Sequence, residues 1–434
     1  MSIRLGASPQ EFIWASGIED TFVPQSRPGH RSLDEYLLIG HYQHWREDIF
    51  LAKELGLTAL RWGVPWYRVE PFPGEFDWRW TDEVLAFMVN DCGITPIIDL
   101  MHYGCPFWMY KEFVNRDYPH AVARYAAEFA RRYKGLIRWY TPFNEPLINA
   151  LMCGMRALWP PYLRGDRGYL KIMLQSVKGI LNTVEAILAV EPEAVMVHVE
   201  AAGLTRAVRE DLHALALEEQ RRGYISYDLL TGRVTHDHPL FTWLVRNGVA
   251  ADDLAEIERR KLKLDVLGLN FYPQWSTKQI YLNQKGHISY RNTEQDGAGF
   301  ADLIRDYYQR FRAPVMVTET SAVGPPEVRT HWLETSLLAI KNLRSQGVPV
   351  YGYTWFPLFT MIDWRYRFGR GPVRDYLLEL GLYQLGDSPR WNKTELVEHM
   401  QQAVADPARS IGVMPAVNAE FNRQGQRGGE LLTV

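Results

Sequence analysis

One alternation constrains this chain more than anything else in it. Eight times, a short run rich in β-branched and aromatic residues gives way to a polar loop and then to a stretch with helical apolar spacing. The runs are EFIWAS (11–16), TALRWGV (58–64), TPIIDL (95–100), RWYTPF (138–143), AVMVHVE (194–200), LDVLGLN (264–270), PVMVTE (314–319) and YGYTW (351–355). In the stretch AVARYAAEFARRYKG, Val122, Tyr125, Ala126, Phe129 and Tyr133 share one helical face, and Gly135 is placed to stop the helix. Gly56 and Gly93 stand where other helices must end before the next strand begins.

Eight β/α units in one chain predict an α/β fold, a closed (β/α)8 TIM barrel. The competing arrangement is an open doubly wound sheet, but no glycine-rich phosphate loop follows the first run. Two connections are enlarged: about sixty residues separate the fifth and sixth runs and about fifty the fourth and fifth, well beyond ordinary βα loops. Such insertions build the walls of a site. Neither a repeat of fixed period nor a Pro/Gly/Ser linker divides the chain, so residues 1–420 read as a single domain and the polar, glycine-containing stretch 421–434 as a tail.

Composition narrows the classes of function. A net charge of −3 over 434 residues gives no electrostatic reason to expect nucleic acid or an anionic membrane as partner. No run is read as apolar and long enough to span a bilayer, and the N-terminus has no apolar stretch of signal-peptide length. Cys92, Cys105 and Cys153 are odd in number and lack CxxC spacing, which suits free thiols in a reducing compartment, and a cytoplasmic location is expected. The pairs HYQH (41–44) and HDH (236–238) lack a second cluster of ligands, so no metal and no cofactor is expected. Aromatic residues make up 13% of the chain, and Trp and Tyr offer the flat apolar face and polar edge that suit a sugar.

Barrel sites are built where the strands end, at their C-terminal face. The second run delivers Arg61, the third Asp99 and His102, the fourth Asn144 and Glu145, the fifth Glu200, the sixth Asn270 and Tyr272, the seventh Glu319 and the eighth Trp355. A paired Glu145 and Glu319 at one mouth is what glycoside hydrolysis needs, one carboxyl to protonate the leaving oxygen and one to attack the anomeric carbon. Repulsion between them would raise the acid's pKa while a cation, for which Arg61 is placed, keeps the nucleophile ionised. Asp99 and Glu200 read as hydrogen-bonding partners rather than further catalysts.

The motifs that carry these residues resemble those of glycoside hydrolase family 1, the β-glucosidase-type enzymes. TPFNEP resembles the family's acid/base motif and VTETSAVG its nucleophile motif. GHYQHWREDIFLAKELGLTALRWGVPWYRVEP (40–71) is similar to its second-strand region, IIDLMHYGCPFWM to its His-Trp-Asp-Leu-Pro region with Tyr103 in place of tryptophan, LGLNFY to its Asn-Tyr-Tyr, and YGYTWFPLFTMIDW to its late Trp-Ser…Glu-Trp segment. The similarity runs from about residue 11 to about residue 400 in strand order, and motifs in register mean more than any one alone.

The resemblance implies a retaining β-glycosidase in which Glu145 is the acid/base and Glu319 the nucleophile. Asn144 would bind the sugar 2-hydroxyl, Arg61 and Tyr272 would hold Glu319, and His102, Asn270, Trp355, Asp363 and Trp364 would contact the sugar. Pro146 would end strand pairing so that Asn144 and Glu145 face the pocket. Two departures touch the subsite that reads the sugar. The region ASGIEDT has no Gln where the family grips the far hydroxyls, leaving Glu19 or Asp20 there, and Asp363 stands before Trp364 where the family has Glu. Arg365, Arg367 and Arg370 read either as loop arginines paired with acids or as forks for an anionic glycone, since guanidinium suits phosphate or carboxylate. The alternatives are a transglycosylase on the same fold and a barrel that binds sugars without cutting them.

Overall fold

The computed structural model describes residues 8–414, so the tail expected over 421–434 lies outside the described residues. All eight runs form parallel strands: β1 (Ile13–Gly17), β2 (Ala59–Gly63), β3 (Thr95–Asp99), β4 (Trp139–Thr141), β5 (Val195–Ala201), β6 (Val266–Asn270), β7 (Val315–Thr320) and β8 (Val350–Trp355). They close in sequential order, β8 pairing with β1, into the (β/α)8 TIM barrel. The main helices around it include α1 (His41–Glu54), α2 (Arg79–Ala86), α3 (Tyr118–Arg132) and α4 (Gly165–Val190). Gly56 (φ 77°) and Gly93 (φ 68°) hold the left-handed conformation that turns the chain from α1 and α2 into β2 and β3.

Period-two alternation sorts each strand between two cores. Ile13, Ala15, Ala59, Ile97, Trp139, Val197, Val199, Val266 and Met316 fill the barrel interior. Leu60, Trp62, Ile98, Tyr140, Leu267, Val317, Tyr353 and Trp355 belong to the larger core beneath the helices. Helix α4 is long and apolar enough to cross a membrane, contrary to the reading of its sequence, but its apolar side, with Leu170, Met173, Val177 and Leu181, is buried in the protein. It is a core helix packed along α3.

The enlarged connections stand above the C-terminal mouth. The β5–β6 insertion carries strand Leu204–Ala207 and helices His213–Gly223 and Phe241–Arg246. A hairpin after β6, Thr277–Leu282 and Ile288–Asn292, pairs with Leu204–Ala207 to make a three-stranded sheet. Insertion and hairpin thus brace one another as a wall.

Candidate active site

Alternation also explains why the strands end in polar groups aimed at one place. In β2, Ala59 faces the interior and Arg61 lies two residues on; in β3, Ile97 and Asp99 do the same, and in β6 Asn270 lies four residues on from Val266. Strict alternation from Met316 would send Thr318 inward and Glu319 outward. A bulge between Val317 and Glu319, where one residue of β7 has no counterpart in β6, turns both inward. Thr318 Oγ1 then donates to Asn270 Oδ1 at 2.7 Å, and Glu319 reaches Arg61.

Arg61 sits at the centre, 2% exposed. Its Nη1 donates to Glu319 Oε1 at 2.6 Å and to the Thr318 carbonyl at 3.0 Å; its Nη2 donates to Asp99 Oδ2 at 2.9 Å and Asn144 Oδ1 at 3.1 Å. Tyr272 donates its hydroxyl to Glu319 Oε2 at 2.7 Å, so both Glu319 oxygens are engaged by donors. Burial opposes the guanidinium charge, but Glu319 and Asp99 outweigh it and raise the Arg61 pKa.

Glu145 is treated differently. Its partners are uncharged: Asn270 Nδ2 donates to Oε1 at 2.9 Å and the Tyr103 hydroxyl to Oε2. Burial, followed by the charge of Glu319, pushes its pKa up to about 7. The residue itself is held at φ 49°, a conformation unusual outside glycine. Beyond the end of β4 at Thr141, pairing with β5 continues through the Asn144–Val199 bridge and the Glu145 N–H to the Val199 carbonyl at 3.2 Å; it ends at Pro146, the first residue of the short helix Pro146–Asn149, where its missing N–H is harmless.

Asn144 Oδ1 accepts from Arg61 and from Asn270, leaving its Nδ2 to face Tyr103 Oη and His102 Nε2, 3.0 Å away. His102 Nδ1 carries a proton toward Asp20 at 2.9 Å and Asp99 at 3.3 Å; burial opposes a charge on the ring, but these two carboxylates outweigh it and raise the His102 pKa. Asp20, Asp99 and His102 thereby come close enough to hold a metal, yet Arg61 and the Nδ1 proton already serve the two carboxylates. Of the histidine pairs, His41 bonds Asp48 and His238 lies against Asp228. Glu200 accepts from Ser226 and the Leu147 and Ala201 amides, and burial pushes it up to about 8; it is a buried partner, as expected.

These groups floor a cavity of about 540 Å3, a size usual for a small-molecule site. His102, Asn270, Tyr272, Glu145, Glu319, Asp363 and Trp364 line it, together with Glu19 and Tyr103. Glu19 stands in the region that lacks the family's Gln, and burial pushes its pKa up to about 7. Arg61 and Asn144 lie just behind the lining. Trp355 was expected against the sugar, but it shares the outward face of β8 with Tyr353 and donates Nε1 to the Leu380 carbonyl at 3.0 Å. It supports the floor from below.

The three arginines weighed as readers of an anionic glycone lie outside the lining. Arg367 is fully buried elsewhere, bonded to the carbonyls of Val23 and Arg31 and to the Tyr162 hydroxyl. Arg365 is exposed and pairs with Asp363 at 2.7 Å, and Arg370 is exposed. Sequence reasoning passed over Tyr103 as a partner of Glu145; the signal was a hydroxyl replacing an indole in IIDLMHYG.

A closed barrel with two buried glutamates in one cavity, one ion-paired and one not, belongs to the class of barrels that do acid–base and nucleophilic chemistry on small molecules. Comparison with known proteins narrows the class. Residues 15–370 match the profile described as Glycosyl hydrolase family 1, and the chain belongs to that family of glycoside hydrolases. It is 24% identical over 369 residues to "Aryl-phospho-beta-D-glucosidase BglH" of Bacillus subtilis, covering 74% of this chain and 76% of that one. It is 23% identical over 370 residues to "Beta-glucosidase A" of Thermotoga maritima, covering 75% and 78%. The family 1 β-glucosidase from Thermotoga maritima in complex with isofagomine lactam superposes with a TM-score of 0.78 at 16% identity, over 91% of this chain and 98% of that one. That likeness is one of fold.

Proposed function

We propose that this glycoside hydrolase is a retaining β-glycosidase working by double displacement. The observation that carries the reading is the unequal treatment of two neighbouring carboxyls. Glu319 Oε1 accepts from the Arg61 guanidinium and Oε2 from the Tyr272 hydroxyl, whereas Glu145, equally buried, accepts only from uncharged donors and has a pKa of about 7. One is paired with a cation and placed to attack, and the other is able to hold and release a proton near neutral pH.

In the first step a Glu319 oxygen bonds to the anomeric carbon as the glycosidic C–O bond breaks, and the Glu145 proton passes to the leaving oxygen. In the second, water attacks the anomeric carbon, gives its proton to Glu145, and the glycosyl–Glu319 ester bond breaks. Asn144, tied to Arg61 and Asn270, would hold the sugar 2-hydroxyl, with His102 and Asn270 on neighbouring hydroxyls and Trp364 on the flat face. A cytoplasmic setting is supported by the three cysteines, all unpaired and buried.

The test is release of 4-nitrophenol from a panel of β-glycosides: gluco, galacto, fuco, manno, xylo, glucurono and 6-phosphogluco forms. Glu319→Gln is run beside the wild type, and product analysis separates hydrolysis from transfer to sugar. Turnover of one member that falls by several orders of magnitude in the variant is expected. A merely tenfold fall would overturn the assignment of the nucleophile, and no turnover anywhere by folded protein would favour a sugar-binding barrel.

A further inference from the structure

The charge of the cavity changes sign between its floor and its outer wall. Glu19, Glu145, Glu319 and Asp363 lie at the barrel mouth, whereas Arg156, Arg222 and Lys278, with Glu219 the one acid among them, line the wall built by the enlarged connections. Arg156 ends the widened turns that follow Glu145, Arg222 lies near the end of helix His213–Gly223, and Lys278 lies in the hairpin strand Thr277–Leu282.

These cations are not equivalent. Arg222 is neutralised locally, by Glu218 at 2.7 Å and Glu219 at 3.3 Å. Arg156 and Lys278 have no ion pair and no side-chain hydrogen bond among the described residues. Lys278 is partly buried, and its burial together with the charge of Arg156 lowers its pKa; Glu219 offsets this in part while engaged by Arg222. Arg156 is exposed and Lys278 half-buried, so an anion between them would gain from both charges, of which Glu219 balances only part.

Where that anion would sit on a substrate follows from the chain path. Glu145 serves the leaving oxygen in the proposed reaction, and the residues after it, Met152 and Met155 among them, line the wall that leads to Arg156. Trp243 and Tyr290 line the same wall. A group leaving past Glu145 therefore meets an apolar and aromatic surface first and two free cations beyond it.

We propose that the outer wall is a subsite for the leaving group, selecting an aromatic or apolar aglycone that carries a carboxylate or similar anionic group, bound by Arg156 and Lys278. It rests on the proposed glycosidase reading only for which half of the substrate lies there. The anion is thus recognised on the leaving group, on the wall opposite in charge to the floor that takes the sugar.

Binding without turnover tests the subsite by itself. Calorimetric titration compares 4-hydroxyphenylacetate with its methyl ester, which keeps the ring and removes the charge. The acid is expected to bind at least about fivefold more tightly than the ester at low salt, with the difference lost at about 0.5 M salt. Lys278→Gln and Arg156→Gln, each checked for an unchanged melting temperature, should each bring the ratio toward one. Equal binding of acid and ester by the wild type, or a ratio unmoved in both variants, would overturn the proposal. The β-glycosides of the same two phenols, on whichever sugar the panel identifies, extend the test: a preference for the acid in kcat/KM is expected. Failure of both to be cleaved, with the binding ratio intact, would count against the glycosidase reading and leave the anion subsite standing.

Discussion

Arg61 and Glu319, 258 positions apart in the chain, meet in a 2.6 Å hydrogen-bonded ion pair with both side chains at most 5% exposed. The same guanidinium also binds Asp99 and Asn144, so it bridges two carboxylates and orients an amide at once. Removing one partner of a buried pair leaves the other charge uncompensated, which costs about 3–5 kcal/mol. Arg61→Gln should therefore lose stability of that order in urea at pH 7. Arg61→Lys, which keeps a positive charge, should lose less. An equal loss in both variants would mean that Arg61 contributes through its shape and packing rather than its charge.

The pH profile should report Glu145. With its pKa at about 7, kcat/KM should fall tenfold per unit as the pH rises beyond that point, because the proton needed by the leaving oxygen is gone. The Tyr103 hydroxyl favours the ionised carboxylate by donating to it. Tyr103→Phe should thus move the alkaline limb to higher pH, a displacement that loss of packing would not cause. A limb that stays in place would remove Tyr103 from any part in setting the acid.

Most of the barrel was legible because it rests on patterns that a chain cannot hide. Buried parallel strands need apolar runs, helices between them need a 3.6-residue period, and Gly56 and Gly93 mark the turns from helix to strand. Glu145 and Glu319 were legible because polar groups at strand ends break an apolar run. Facing direction was harder. A bulge, not alternation, turns Glu319 inward, and alternation sends Trp355 outward. Arg367 looked like a ligand-binding arginine because sequence cannot show that two carbonyls and a tyrosine already occupy it. Arg156 and Lys278 carried no signal either: they come from connections whose packing is set only when insertion and hairpin pair.

Trp355 and Trp364 should separate support from contact. Trp355→Phe leaves the Leu380 carbonyl without its donor and should cost about 1–3 kcal/mol, read as a lower melting temperature. Its effect on KM should be small. Trp364 lines the cavity and is only partly buried, so Trp364→Ala should raise KM for the sugar about tenfold while changing stability less. A large KM effect from Trp355→Phe with no loss of stability would return that ring to the binding surface.

A catalytic acid of this kind is held against stability, and the sign can be measured. The Glu145 pKa is raised from 4.5 to about 7 in the fold, so between those values the folded chain keeps a proton that the unfolded chain has released. Stability from this group is complete below about pH 4.5 and declines as the pH rises through 7. Glu19, at about 7, and Glu200, at about 8, act in the same direction. Glu145→Gln replaces the carboxyl with a group that never ionises and can still accept from Asn270. Near pH 5 it should melt close to the wild type, and by pH 8 it should be more stable, by on the order of 2 kcal/mol. Melting curves for both proteins from pH 5 to 8.5 decide the matter: parallel curves would show that Glu145 is as easily ionised in the fold as in the unfolded chain, and the acid would have to be sought elsewhere in the cavity.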